Sequence, residues 1–117
     1  MKKSLLKEYS FELSLMGIEV YINMKQQKEY DLSRQFIKAV TSIGANIHEA
    51  YDAESKKDFI HKLSISLKEA KETDYWIRLF NSSRLVNVDT RELNAKLKSV
   101  TALLISIIKS SKRNLKE

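Results

Sequence analysis

Residues 42–50 bring together three side chains that can donate, accept or carry protons: Asn46, His48 and Glu49. The apolar residues around them keep the spacing of an amphipathic helix. A buried polar group costs free energy unless it is hydrogen-bonded, so residues of this kind build either a structural network or a site. Glu69 and Glu72 repeat the spacing of Asn46 and Glu49, and that spacing puts each pair on one helix face.

These polar groups are predicted to meet across two antiparallel helices. With a turn centred near residue 53, Lys38 comes level with Glu69, and Arg34 comes level with Glu72. We favour an interhelical network of ion pairs and hydrogen bonds that fixes helix register, which such networks do more reliably than they add stability. The predicted members are Arg34, Lys38, Asn46, Glu49, Glu69 and Glu72.

A carboxylate metal site is the competing interpretation of the same groups. A di-iron bundle needs carboxylates on all four helices and two Glu-x-x-His motifs. The nearest approach to that motif is Asp58 with His61, and the acids of the first helix supply no matching set. His48 and His61 near the turn could take up adventitious zinc, although such histidines are more often surface or interface residues. We therefore predict no metal and no cofactor.

The remaining residue types argue against catalysis. The sequence has no cysteine, which excludes a thiolate nucleophile, a cysteine-based zinc site and a disulfide framework. The serines form no nucleophile motif, and the isolated Gly44 makes no phosphate-cradling loop. General acid–base catalysis needs convergent groups in a cleft, and nothing in the sequence indicates one. We expect a protein that is not an enzyme.

Four helices are predicted to position these side chains. The first covers residues 4–25 and carries one apolar stripe for a core: Leu6, Tyr9, Leu13, Met16, Val20 and Met24. One stripe is enough to face the core of a bundle. A second stripe, made of Phe11, Leu15, Ile18 and Ile22, predicts that a loop or another subunit covers a second side of this helix.

Capping signals mark where the other helices begin. Asp31 is the predicted N-cap of the second helix, since its carboxylate can accept from free backbone amides. Ser55 with Asp58 resembles a capping box that opens the third helix. Asp89 with Glu92 repeats this pattern before the fourth. The core residues predicted for these helices are Leu32, Phe36, Val40, Ile43, Ile47, Phe59, Leu63, Leu67, Ala70, Ile77, Phe80, Leu93, Leu97, Val100, Leu104 and Ile107.

The connections between these helices are short, and the third helix is expected to end at residues 81–83. Short connections make consecutive helices antiparallel neighbours. The predicted fold class is all-α, an antiparallel up-and-down four-helix bundle that forms a single domain over residues 1–117. A long coiled coil is the alternative, and the three capped breaks argue against it.

Charge is distributed unevenly along the chain. The net charge is +6, and residues 82–117 contribute eight basic and three acidic side chains. In an up-and-down bundle, the start of the first helix and the end of the fourth lie at the same pole. We call the cations gathered there the basic pole: Lys2, Lys3, Lys7, Lys109, Lys112, Arg113 and Lys116. They can bind phosphates, or they can complement a helix dipole and solvate a tail.

No apolar run approaches the ~20 residues of a membrane span. Charges at Lys7, Glu8 and Glu12 interrupt the N-terminal segment, so we do not expect it to act as a signal peptide. We expect a cytoplasmic protein with no membrane contact.

An ordered set of residues runs through the second and third helices. It comprises Gln35, Ser42, Ile43, Asn46, Ile47, Glu49, Asp58, Phe59, Leu63, Ile65, Glu69, Glu72, Thr73, Tyr75 and Trp76. With this combination, the chain resembles a small four-helix-bundle family over nearly its whole length. That family was first noted in open reading frames within intervening sequences of bacterial 23S ribosomal RNA genes.

The resemblance implies an up-and-down bundle that assembles as a homopentamer and has a largely undefined molecular activity. A relative of the family is the accessory protein of diversity-generating retroelements, a basic pentamer that engages nucleic acid and a reverse transcriptase. The chain departs from the family pattern at Lys38, where arginine is common, and at Gly44, where proline or another small residue is frequent. It also has Ala50 where glycine is usual, so the second helix is expected to run on past this residue.

Two hypotheses for function follow. The first is a non-enzymatic oligomer that binds the backbone of RNA or DNA through the basic pole, which a ring would repeat on one face. The alternative is a protein–protein scaffold or accessory module without nucleic-acid contact. Tyr75 and Trp76 point about 100° apart on a helix, so one can face the core and the other a second surface. We interpret both as packing residues and favour a subunit contact for a ring outside the core. A base-stacking role would need an exposed ring beside lysine or arginine.

Overall fold

Four helices make up the part of the chain that the computed structural model describes, which is the backbone of residues 2–116 and the side chains of residues 5–115. They are α1 (Lys2–Gln26), α2 (Asp31–Ala50), α3 (Lys56–Ser83) and α4 (Arg91–Lys116), and no strand occurs among these residues. α1 and α3 each pack against α2 and α4, while the diagonal pairs stay apart. The predicted all-α, up-and-down bundle is confirmed, and it measures 51 × 21 × 20 Å.

The core contains the apolar positions that helical spacing predicted, together with residues that it did not name, such as Ile60 and Val86. The first stripe of α1 is buried or half-buried throughout, and the α2, α3 and α4 stripes meet it in one cluster. Phe36 of α2 and Phe80 of α3 pack edge to face, with ring centroids 5.6 Å apart. The second stripe of α1 stays exposed, since no described part of the chain covers it.

The α2 N-terminus is capped by Glu29 rather than by the predicted Asp31. The Glu29 carboxylate accepts from the backbone N–H groups of Asp31, Leu32 and Ser33, the last at 2.7 Å. Asp31 is the first helical residue, and the preceding Tyr30 makes no side-chain cap. A side chain two residues upstream thus satisfies three amides that a helix start leaves without partners.

The end of α2 also differs from the expectation. The helix stops at Ala50 instead of running on, and Tyr51 keeps a right-handed conformation (φ −74°). Asp52 N–H donates to Glu49 O, and Ala53 N–H donates to Ala50 O. These tighter i→i−3 bonds satisfy the last carbonyls, so the helix ends without the left-handed residue that glycine would favour.

The predicted cap of α3 forms, and that of α4 forms in part. Ser55 Oγ accepts from Asp58 N–H at 3.1 Å, which confirms the predicted cap of α3. That helix ends at Ser83, as predicted, and Arg84 follows in the left-handed region (φ 63°). α4 begins at Arg91, and Asp89 accepts from Arg91 N–H at 3.0 Å. Among the described residues Glu92 does not bond to Asp89, so the predicted pattern forms only in part.

Two glycines allow α1 and α2 to approach closely. A Cβ atom built on Gly17 would lie 2.6 Å from Val40 Cγ1, and one on Gly44 would lie 3.1 Å from Ser14 Oγ and 3.3 Å from Ser10 O. α1 and α2 therefore touch through helix backbones that larger residues would push apart.

At the pole opposite the basic pole, two hydrogen bonds join the α1–α2 turn to the α3–α4 loop. Both link the side-chain amide of Gln27 to the backbone of Asn87. Gln27 Nε2 donates to Asn87 O, and Asn87 N–H donates to Gln27 Oε1, both at 2.9 Å. We call this pair the amide clamp.

In the part of the chain that the structure describes, no helix is both long and apolar enough to cross a membrane.

Candidate nucleic-acid interface

The basic pole forms where the start of α1, the α2–α3 turn and the end of α4 meet. Lys7 Nζ of α1 lies 5.4 Å from the centroid of the Tyr51 ring in this turn. Ser111 and Asn114 of α4 line a hollow of about 400 Å³ together with Tyr51 and Phe59. The predicted meeting of α1 and α4 at one pole therefore holds, and the α2–α3 turn completes it.

The cations at the end of α4 face solvent. Lys109, Lys112 and Arg113 are exposed, and none of them makes an ion pair with a residue that the structure describes. Lys7 is exposed and lies near the Tyr51 ring. Lys2, Lys3 and Lys116 lie outside the residues whose side chains are described.

The α2–α3 turn adds charges that the sequence interpretation left out of the basic pole. Lys56 and Lys57 are exposed at the start of α3. The turn also carries exposed acids, Asp52 and Glu54. The pole is thus a mixed surface, in which the α4 end is the most cationic part. The missing signal was available in the sequence, because antiparallel pairing puts every α2–α3 turn residue at this pole.

Tyr51 forms the apolar floor of the pole. Its ring meets Phe59 edge to face, with centroids 5.6 Å apart. Burial raises the pKa of Tyr51 to about 12, so the phenol stays protonated even in alkaline solution. The half-buried ring thus lies beside Lys7 as a neutral group.

The predicted polar network is looser than a set of ion pairs. Glu69 is half-buried on α3, and its pKa reflects several neighbours rather than one partner. Burial and the neighbouring Glu72 have larger effects than the Lys38 charge, which lowers this pKa, and the net result is a raised pKa for Glu69. No ion pair joins Arg34 or Lys38 to either glutamate among the described residues.

The other members of that network bond elsewhere. Asn46 Nδ2 donates to Ser42 O within α2, at 2.8 Å. Glu49 pairs with Lys62 of α3, with Nζ and Oε1 3.4 Å apart. Glu72 accepts from Trp76 Nε1 at 3.3 Å within α3. Arg34 and Lys38 are exposed, so their long side chains gain more from water than from a fixed geometry.

A serine that the sequence interpretation missed joins α2 to α3. Ser66 is fully buried, and its Oγ donates to Ile43 O across the two helices at 2.8 Å. Ser66, which was not among the predicted network members, thus makes a buried hydrogen bond between α2 and α3, whereas Asn46 bonds within α2. A serine among apolar residues at helical spacing was the available signal, but many serines bond within their own helix instead.

The histidines do not converge. His48 Nδ1 donates to Gly44 O at 2.8 Å, one turn back in α2, and His61 is exposed on α3. Within the described residues, no group of three His, Asp or Glu side chains is arranged to hold a metal ion.

Tyr75 and Trp76 differ in burial. Trp76 packs against the core from its edge, while Tyr75 is 54% exposed. The two rings touch edge to face at 5.2 Å.

The fold defines a class of protein: an antiparallel four-helix bundle, here with exposed cations at the end of α4. The family described as 23S rRNA-intervening sequence protein matches residues 2–106. The chain belongs to this family, as its sequence resemblance predicted. No curated protein matches the chain.

A solved structure supports the assignment. It is a protein of unknown function from the S23 ribosomal protein family of Bacteroides thetaiotaomicron VPI-5482, determined at 1.70 Å resolution. The two proteins share 40% sequence identity with a TM-score of 0.87. The match covers 93% of this chain and 99% of the other, so the likeness extends over the whole bundle.

Proposed function

We propose that this protein is a non-enzymatic homo-oligomer, a pentamer by family resemblance, that binds the sugar-phosphate backbone of RNA or DNA through the basic pole. The observation that carries the proposal is the exposed α4 end, where Lys109, Lys112 and Arg113 have no ion-pair partner among the described residues. Cations without protein partners bind phosphates by releasing counterions. The proposal places the protein in the cytoplasm, where it meets nucleic acid.

Oligomerisation strengthens the binding that one pole provides. Three exposed cations form a modest patch, but a ring repeats the patch on one face and sums the fields. Such a surface reads charge and backbone shape rather than base sequence. We therefore expect micromolar or weaker binding to single oligonucleotides, with affinity that falls steeply as salt rises.

Fluorescence anisotropy with labelled RNA and DNA oligonucleotides tests the proposal. The pole variant Lys109→Gln/Lys112→Gln/Arg113→Gln should lose most of the binding. If all three cations contact phosphates, it should also reduce the slope of log K against log salt by about 2 to 3. No binding by the wild type at low salt would refute the proposal.

A matched control removes the same charge from the opposite pole. Lys25→Gln/Lys28→Gln/Arg84→Gln replaces three exposed cations at the ends of α1 and α3. This control should bind as the wild type does. If it weakens binding as much as the pole variant, then net charge rather than the basic pole drives the interaction.

A protein–protein scaffold is the second candidate. The acids Asp52 and Glu54 on the same pole favour it, because they repel phosphate and can pair with cations of a protein partner. Pull-down of one protein partner that persists after nuclease treatment would support the scaffold. If nuclease treatment removes that partner, the result would instead support binding of the protein to nucleic acid.

A further inference from the structure

α1 presents an apolar face to solvent. Phe11, Leu15, Ile18 and Ile22 are 59%, 50%, 40% and 48% exposed, and they lie on the side of the helix opposite its core stripe. Scattered apolar residues on a surface are ordinary, but a contiguous row of four large ones marks an interaction surface. We call this row the α1 face.

A shallow groove of about 380 Å³ runs between α3 and α4. Its apolar lining includes Leu97, Ala102 and Ile105, of which Ile105 is 49% exposed. Lys71 and Lys98 also line it. Small side chains such as Ala102 leave room for the larger side chains of an incoming helix. We call it the α3–α4 groove.

Charges beside the two surfaces are complementary. Glu8 and Glu19 are exposed on α1 about three turns apart, so they share one edge of the α1 face. Lys71 and Lys98 in the groove make no ion pair within the described chain, and neither do these glutamates. Asp74 is the one acid in the groove lining.

The two surfaces also lie at overlapping heights along the bundle. Gly17 of α1 contacts Val40 of α2, and Ile43 of α2 accepts from Ser66 of α3. Following these contacts from helix to helix puts Glu19 at about the height of Lys71. Copies arranged around an axis parallel to the helices would therefore bring the acidic edge of one beside the cations of the next.

We infer that the α1 face of one copy docks into the α3–α4 groove of the next copy. This rests on the self-association included in the proposed function, and it assigns the interface. The contact is heterologous, because two different surfaces of the chain meet, so it repeats from copy to copy until a ring closes. An antiparallel two-fold pair of α1 faces would instead bring the acidic edge of each copy against itself.

Cysteine cross-linking distinguishes these arrangements, since the chain has no cysteine of its own. Phe11→Cys and Ala102→Cys proteins are prepared separately, mixed, and treated with a short bifunctional thiol reagent. Docking into the groove predicts a cross-linked dimer from the mixture and little from either protein alone. Ser82→Cys is the control for Ala102→Cys, since Ser82 is exposed near the far end of α3 and should give no product with Phe11→Cys.

Other outcomes overturn the inference in distinguishable ways. Efficient cross-linking of Phe11→Cys to itself would show α1 faces packed against each other. No cross-link in a protein that light scattering shows to be oligomeric would place the interface elsewhere. A monomer by light scattering would refute the self-association on which both this inference and the proposed function rest.

A charge swap gives a second readout. Glu19→Lys and Lys71→Glu should each shift the protein towards smaller species in light scattering at low salt, because each puts like charges in contact. The double variant should recover the larger assembly. Additive loss in the double variant would contradict a contact between these two positions.

Discussion

At the scale of single residues, the most consequential side chain is a buried serine. Ser66 bonds to Ile43 O from the next helix, and it is fully buried. Ser66→Ala should lower the free energy of unfolding by about 1 kcal/mol, because one net hydrogen bond is lost. Urea denaturation measures the change.

Ser64→Ala is the matched control for that experiment. Ser64 is exposed and bonds to Ile60 O in its own helix, two residues away from Ser66. The control should be close to neutral, since it removes no interhelical contact. Equal losses in both variants would mean that Ser66 has no special role in register.

Glu69 is the residue whose titration reports on the α2–α3 contact. Burial and the Glu72 charge raise its pKa above the ordinary value of 4.5. A raised carboxyl pKa favours folding below pH 4.5 and loses this contribution as pH rises through the folded-state pKa. Glu69→Gln should therefore stabilise the protein at neutral pH relative to wild type, and this advantage should shrink on acidification to below 4.5.

Denaturation midpoints across pH measure that advantage. Lys38→Gln supplies a companion variant, because losing the nearby cation raises the pKa of Glu69 further. NMR titration of the Glu69 carboxyl should show this increase. A pH-independent difference between wild type and Glu69→Gln would contradict the proposed origin.

At the scale of helices, the contact of α1 with α2 depends on glycine. Gly17→Ala should cost about 1–3 kcal/mol of stability, since the added Cβ overlaps Val40. Adding Val40→Ala should recover part of the loss from Gly17→Ala, and a double-mutant cycle measures this coupling.

Gly44→Ala should cost less than Gly17→Ala. Its nearest neighbour is the Ser14 hydroxyl, which can rotate away, and alanine has the higher helix propensity. A larger loss at Gly44 than at Gly17 would show that the Ser10 backbone, rather than Val40, limits the approach of the two helices.

At the scale of the whole molecule, stability should depend on protein concentration. If the α1 face is covered only in the oligomer, dilution exposes it and removes the stabilisation that binding gives the folded state. The thermal midpoint should therefore rise with concentration for wild type and much less for a Leu15→Gln variant. Differential scanning fluorimetry over a range of dilutions measures this. A midpoint independent of concentration in the wild type would contradict it.

Much of this architecture follows from local pattern. The helical period of apolar residues predicts the four helices and the core, and the order of the helices then gives the basic pole. Contacts that depend on how two helices cross are harder to predict. Gly17 is required by its contact with Val40, and Ser66 by its hydrogen bond to Ile43 O. The spacing of residues within one helix does not specify which residue of the next helix lies opposite.

Among the described residues Glu49 forms an ion pair between α2 and α3, but Arg34 and Lys38 do not, for a related reason. Register estimated from a turn put Lys38 near Glu69, but a salt bridge requires a separation of a few ångströms and two ordered side chains. The cap of α2 was also predicted wrongly. The Glu29 side chain is longer than that of Asp31, and it reaches three backbone N–H groups from outside the helix. Residue preferences at helix N-caps favour Asp31 over Glu29. They do not include the path of the chain in the preceding turn, which brings Glu29 beside the helix N-terminus.

The amide clamp has a consequence for how rigidity is distributed along the bundle. Gln27 and Asn87 tie together two loops that are far apart in sequence, whereas α1 begins and α4 ends at the opposite pole. Opening the clamped end requires two hydrogen bonds to break together, while helix ends can fray one turn at a time. We therefore expect local opening to cost more free energy at the amide clamp than at the ends of α1 and α4 that carry the basic pole.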